Sequence, residues 1–361
     1  MTSSSAVIDQ VWIRLDAFVA RMREETAAYG PDASAFVSAA ESTLRGGKRL
    51  RARFCHAGWT AVAGLGGIGT EPTALWDACA ALEVFQSAAL VHDDLIDNSD
   101  TRRGRPSAHR ALEASHVGLG WSGSAVDFGR AAAVLLGDLL VAWSDDLLES
   151  GIVANPHADA VRAEYARMRR DVTIGQYLDI AEESAWSVNQ DDGHAERALR
   201  VVSLKAARYS VEQPLLIGAA IAGADRTQQA VLRAFGHPLG MAFQLRDDVL
   251  GVFGDENLTG KPAGDDLREG KRTLLIAWTR QALAPQGRRV VDELLGDPQL
   301  TADQIASLQA IIVESGALAR VEQLIGEYAA DGEAALQGAP LDAPALDLLR
   351  GLAQDATQRT A

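Results

Sequence analysis

The chain has 361 residues, enough for one large domain or two ordinary ones, and 47% of them are hydrophobic, enough to bury a sizeable core. A net charge of −15 argues against nucleic acid and anionic membrane surfaces as partners, since both require a basic footprint. Cys55 and Cys79, the two cysteines, form no disulfide framework and point to a reducing compartment.

The first five residues are polar and no signal-peptide core follows them. No apolar stretch reaches spanning length without a charge, because Asp138 interrupts 131–143, so a cytoplasmic protein without stable membrane insertion is expected. Residues 7–29 place Val7, Val11, Leu15, Phe18, Val19 and Met22 at helical spacing, and Gly30-Pro31 ends the run. A second helix is expected over 33–44, broken by Gly46-Gly47. Lys48 and Arg51 stand at the start of the next helix, where backbone N–H groups and cations together suit an anion. After a Gly-rich loop at 64–72, the run from Trp76 to Val91 has no Gly or Pro and reads as a buried helix. It ends in His92-Asp93-Asp94-Leu95-Ile96-Asp97. Asp93 and Asp97 are i and i+4, so both carboxylates leave one face and repel unless a cation lies between them. Such ligands suit Mg2+, which binds one or two carboxylates and completes its shell with water and substrate phosphate. Arg102 and Arg103 follow, and guanidinium groups clamp phosphate oxygens bidentately. Taken alone, the acidic cluster fits a solvated helix end equally well.

A short helix is expected over 107–112, a Gly- and Ser-rich loop around Trp121 over 115–129, and a helix over 128–150. Within that helix Asp138 reads as a polar group hydrogen-bonded in the core. Residues 159–183 form a long helix with Gln176 and Asp179 on one face. Lys205 lies in an apolar helix with no acid nearby in sequence, and so needs an anion. Asp225 suits the N-cap of a helix that starts near Thr227 and ends in Gln244-Leu245-Arg246-Asp247-Asp248-Val249-Leu250-Gly251. A polar loop over 254–270 holds Lys261 and leads to Lys271, and 273–361 reads as packing helices without chemistry. Almost nothing alternates with period two, so the fold is expected to be all-α: one domain over 1–361, a bundle of about ten or more helices around a central cavity. Two Asp-Asp pairs, each closing an apolar helix, are costly to bury without partners, and a diphosphate with several Mg2+ ions would satisfy them.

With Gly46-Gly47-Lys48-Arg49-Leu50-Arg51, the two aspartate-rich motifs, Gly175-Gln176-Tyr177-Leu178-Asp179, Lys205, Phe243-Gln244, Gly260-Lys261 and Gly270-Lys271 in that order over 46–271, the chain resembles the trans-isoprenyl diphosphate synthases of the polyprenyl synthetase family. Among them it looks most like geranylgeranyl diphosphate synthases. The resemblance implies head-to-tail condensation of isopentenyl diphosphate with an allylic diphosphate, about three Mg2+ ions per active site, and a homodimer. It implies Asp93, Asp97, Asp247 and Asp179 at the metals. It implies Lys48, Arg51, Arg102, Arg103, Lys205, Gln176, Gln244, Lys261 and Lys271 on the substrates, with the loop after Gly254 closing as a lid. The family pattern has a Thr where this chain has Ala206 and an Asp where it has Gly251. Asp255 lies too far along the axis to replace that Asp.

In the family, bulk on the helix before the first acidic motif limits product length. Here Ala89 and Ala88 lie one turn back and Phe85 two turns back, which favours a geranylgeranyl product over a farnesyl one and leaves a longer one open. A terpene cyclase would not need the Gly46–Arg51 motif. A non-catalytic subunit would be expected to have lost Asp93, Asp97 or Asp247.

Overall fold

The structure, a computed structural model, describes residues 4–64, 72–186, 188, 193–254 and 264–357. The expected lid residue Lys261 and most of the Gly-rich loop at 64–72 lie outside these. The described chain is all-α. Among the described residues the strands are a two-residue pair, β1 (Thr101–Arg102) and β2 (Arg105–Pro106), antiparallel with Arg102 opposite Arg105. The chain divides into two compact units.

The first unit comprises 1–161 with 217–223. It holds α1 (Ser4–Thr26), α2 (Pro31–Thr43), α3 (Leu50–Ala63), α4 (Thr73–Ile96), α5 (Ala108–Gly118) and α6 (Ala125–Ile152). The apolar spacing read in 7–29 is the buried stripe of α1, and Pro31 opens α2 at its first turn, where its missing N–H costs nothing. The spine is α4. By length and composition it could cross a membrane, yet 78% of its most apolar window is buried inside the fold. It packs most extensively on α6 and then on α3. Gly137 and Gly151 on α6 make this approach possible, since a Cβ there would strike His92 and Asp77 of α4. The loop expected over 115–129 is shorter than its composition suggests. α5 runs through the Ser115 region to Gly118, and α6 already starts at Ala125, with the Ser124 hydroxyl capping it at the Asp127 amide, 3.2 Å away.

The second unit comprises 162–216 with 224–361. Most of α7 (Ala158–Ala185) lies in it, followed by α8 (His194–Val201), a π-helix (Val202–Glu212), the start of α9 (Gln213–Ile221), whose remainder belongs to the first unit, and α10 (Arg226–Phe253). Then come α11 (Asp265–Glu269), α12 (Leu274–Ala282), α13 (Pro285–Leu294), α14 (Ala302–Glu314), α15 (Ala317–Ala335) and α16 (Ala343–Thr357). Asp225 caps α10 as expected, in a reciprocal capping box with Gln228. α10 continues through Pro238, and packs on the π-helix where Gly240 lets Ala207 approach backbone to backbone. On another side, Arg246 grips Glu322 of α15 with two bonds of 2.6 and 2.7 Å.

Candidate active site

In the first unit the phosphate-type residues converge on one turn. Gly46 and Gly47 have φ of +79° and +86°, which glycine alone adopts cheaply. They also clear space, because a Cβ on Gly47 would lie 2.9 Å from the Arg103 guanidinium. Arg103 itself sits at φ +54°, followed by Gly104 at +71°, the pair of positive angles that a two-residue hairpin of the β1–β2 kind requires. The Gly-Gly-Lys-Arg motif and the double arginine, 50-odd residues apart in sequence, are therefore one packed assembly, tied by the Arg103 guanidinium donating to the Arg45 carbonyl at 3.3 Å. Although Arg103 as a residue is exposed, its guanidinium is partly desolvated there. Burial, and then the neighbouring charges of Arg49, Arg102 and Arg51 against the partial relief of Glu83, push it below the usual arginine range. Lys48 is exposed and Arg51 half-buried beside it.

The expected use of the α3 N-terminus as an anion site needs correction. Glu83 of α4 fills at least part of it: its carboxylate accepts from the Ala52 amide at 3.2 Å and from Arg49 at 3.3 Å. Arg49 is buried in the left-handed region and lies over the Trp12 ring at 4.3 Å. It is a structural cation, held by the Glu83 carboxylate and the Trp12 ring.

At the end of α4 the three aspartates differ. Asp94 is buried and engaged by Arg102, whose Nε donates to it at 2.7 Å. Burial raises the Asp94 pKa, and Arg102 only partly offsets it. Asp93 is half-buried, 3.7 Å from the same guanidinium, and Asp97 is exposed. Along α4 Gln86, Ala89, Leu90 and Asp93 are less buried and share one face that runs on to Asp97 just past its end, with His92, Leu95 and Ile96 also accessible in the last turn, whereas Ala88 and Phe85 are buried at 1% and 6% exposure. Asp138 is not a core group. Its side chain is 66% exposed and lies 3.6 Å from His92, because that position of α6 faces outward.

In the second unit Gly175 decides the local geometry. A Cβ there would come within 2.5 Å of the Lys205 amide, so α7 and the π-helix meet backbone to backbone. One turn on from Gly175, Asp179 reaches the Lys205 ammonium at 2.6 Å. The acid missing near Lys205 in sequence is thus supplied across the interface. Both groups are half-buried, so the pair keeps access to water. The π-helix, which no periodicity announced, carries Lys205 at its first turn, and such irregular turns concentrate at functional sites.

On α10 the less buried side presents Gln244, Asp247 and Gly251. Asp248 points inward, accepts from Gln244 at 2.8 Å, and burial pushes its pKa up to about 7 against that bond. Lys271 is held by Asp266 at 2.9 Å and Glu269 at 2.7 Å. Burial alone would lower its pKa, but the two carboxylates hold it above the usual lysine range. Among the described residues no three His, Cys, Asp or Glu stand close enough to hold a metal by themselves.

The comparisons with known proteins identify the family. The model of the polyprenyl synthetase family matches residues 34–312. The geranylfarnesyl diphosphate synthase of Aeropyrum pernix is 33% identical over 308 residues, 84% of this chain and 87% of that one. A geranylgeranyl diphosphate synthase of Mycobacterium tuberculosis is 31% identical over 300 residues, 82% and 77% of the two chains. The crystal structure of geranylgeranyl pyrophosphate synthase from Corynebacterium glutamicum, complexed with isoprenyl diphosphate and magnesium, superposes with a TM-score of 0.89 at 38% identity, covering 99% of this chain and 98% of that one. The chain belongs to the polyprenyl synthetase family and is a prenyltransferase.

Proposed function

We propose that the protein joins isopentenyl diphosphate head to tail to an allylic diphosphate and releases geranylgeranyl diphosphate. The observation that carries the reading is the packing of Arg103 against the Gly46-Gly47 turn with the charges of Arg49, Arg51 and Arg102 near it, a concentration of positive charge that suits an anionic ligand. In this reading Lys48, Arg51 and Arg103 hold the isopentenyl diphosphate at attack distance. Lys205, Lys261, Lys271 and Arg102 bind the diphosphate of the allylic substrate. Arg102 and Lys205, paired with Asp94 and Asp179 when no substrate is bound, exchange those partners for phosphate oxygens. Gln176 and Gln244 line the same reaction space. Asp93, Asp97 and Asp247, with Asp179, would hold Mg2+, about three ions in all. Bound there, the metal supplies electrostatic relief for the charge that develops on the departing diphosphate. Departure leaves an allylic cation, the isopentenyl double bond attacks it, and a proton is lost to the diphosphate, so no side-chain base is needed.

Relatives are named for farnesyl, geranylgeranyl and geranylfarnesyl products, a range that includes the four-unit product proposed. The half-buried Ala89 beside Asp93 supports an open pocket. We place the activity in one cytoplasmic catalytic domain spanning 1–361 and in a homodimer. The exposed Val117, Leu119, Trp121, Val126, Val134 and Leu135 of the α5–α6 region supply an apolar face for the second copy. The test is direct. Purified protein with Mg2+, isopentenyl diphosphate and primers of increasing length should yield geranylgeranyl diphosphate on chromatography. A cyclic hydrocarbon, or no product, would overturn the reading.

A further inference from the structure

Position 251 is where the second acidic helix departs from the family pattern, because Asp247 has no carboxylate one turn on. The space beside Gly251 is nevertheless occupied by one. A Cβ on Gly251 would land on the carboxyl group of Asp266, with Oδ1 3.0 Å away. Asp266 belongs to a different element, the first turn of α11, and it is buried. The same carboxylate binds the Lys271 ammonium at 2.9 Å, and the Asp266 carbonyl accepts from the Lys271 amide at 3.1 Å. Asp266 thus holds Lys271 through both side chain and backbone. The segment between them has little room to shift. The Leu267 carbonyl accepts from the Gly296 amide at 2.9 Å, and a Cβ on Gly270 would lie 2.9 Å from the Gly296 Cα.

We infer that Asp266 is a positioning residue for Lys271, and that the bare backbone at Gly251 is the notch that admits it. The carboxylate absent from α10 returns from α11, and its work is to fix an ammonium. One side of α10 then presents Gln244, Asp247 and, through the notch, the Asp266–Lys271 pair. The inference rests on Lys271 binding the allylic diphosphate as proposed above. It also reverses the simple expectation for restoring the family residue. Aspartate at 251 would meet the Asp266 carboxylate in both space and charge, so the restored motif should be the damaged one.

The experiment compares the full-length protein with Lys271→Gln, Asp266→Asn, Gly251→Ala, Gly251→Asp and the double variant Gly251→Asp/Asp266→Ala. Its readouts are kcat, KM for geranyl diphosphate, KM for isopentenyl diphosphate, and calorimetric binding of inorganic pyrophosphate with Mg2+. Lys271→Gln should raise the geranyl diphosphate KM on the order of tenfold, leave the isopentenyl KM in place, and weaken pyrophosphate binding. Asp266→Asn, nearly isosteric, and Gly251→Ala should move the same parameter in the same direction. Gly251→Asp should be worse than Gly251→Ala, and the double variant should recover at least severalfold over Gly251→Asp, since a carboxylate from α10 then stands in for Asp266 beside Lys271 with Glu269 unchanged. Recovery confined to the geranyl diphosphate KM and pyrophosphate binding, with the isopentenyl KM unmoved throughout, is the signature, since relief of crowding alone would restore both KM values together. The inference is overturned if Lys271→Gln raises the primer KM while Asp266→Asn and Gly251→Ala keep wild-type values. It is equally overturned if the double variant shows no recovery. If Lys271→Gln changes neither the primer KM nor pyrophosphate binding, the reading of Lys271 as a substrate residue is what fails.

Discussion

Asp93 and Ala89 lie on one less buried face of α4, one turn apart, so a diphosphate held near Asp93 would send its prenyl tail past Ala89. Ala88, at 1% exposure, faces into the fold instead. The two alanines, equivalent in sequence, should respond differently. Ala89→Phe should shorten the chromatographed product with little change in melting temperature. Ala88→Phe should overpack the interior and lower stability by about 1–3 kcal/mol, read by chemical denaturation. Phe85→Ala then tests whether that ring sets the pocket floor, and a longer product is the expected outcome. At the metal face, Asp93→Asn should cut kcat by on the order of 10²–10³ while the fold persists, and excess chelator should give the wild type the same loss. Wild-type turnover in excess chelator would end the metal reading.

At the scale of elements, the close contacts made by glycine explain much of the architecture. Gly175→Ala would push α7 off the π-helix and should cost about 1–3 kcal/mol, with Lys205 losing its alignment to Asp179. Between α1 and α4, Asp77 faces Arg14 at 3.7 Å, yet burial outweighs Arg14 and Arg21 and raises its pKa. A carboxyl with a raised folded pKa stabilises the fold most below its unfolded pKa, and that contribution is lost as pH rises through the folded one. Asp77→Asn should therefore melt higher than the wild type at neutral pH, and the gap should close as the buffer is taken below the usual carboxylate range. The apolar periods of α1, α4 and α10 and the cap at Asp225 were legible in the sequence, because period and capping are local properties. The π-helix at 202–212, the Asp179–Lys205 pair and the seat of Asp266 at Gly251 were not. Each depends on two segments far apart in the chain meeting at a glycine, and no local pattern encodes that meeting.

For the whole molecule, the apolar face on α5 and α6 carries the assembly prediction. Leu135→Glu places a charge on it, at a leucine that is 61% exposed. Sedimentation should show a dimer for the wild type and a shift toward monomer for the variant, and an unchanged dimer would put the interface elsewhere. The burial of α4 has a further consequence for how the protein is made. A ribosome finishes this 24-residue helix before it has begun α6, the partner that covers it most. For that interval the nascent chain carries a segment as apolar as a membrane span, screened by α1, α3 and α5, which pack on it less than α6 does. A fragment ending at residue 124 is accordingly expected to bind holdase chaperones or aggregate on translation, whereas one reaching residue 161 should stay dispersed. The order of synthesis, and not only the finished packing, then shapes how much enzyme a cell obtains.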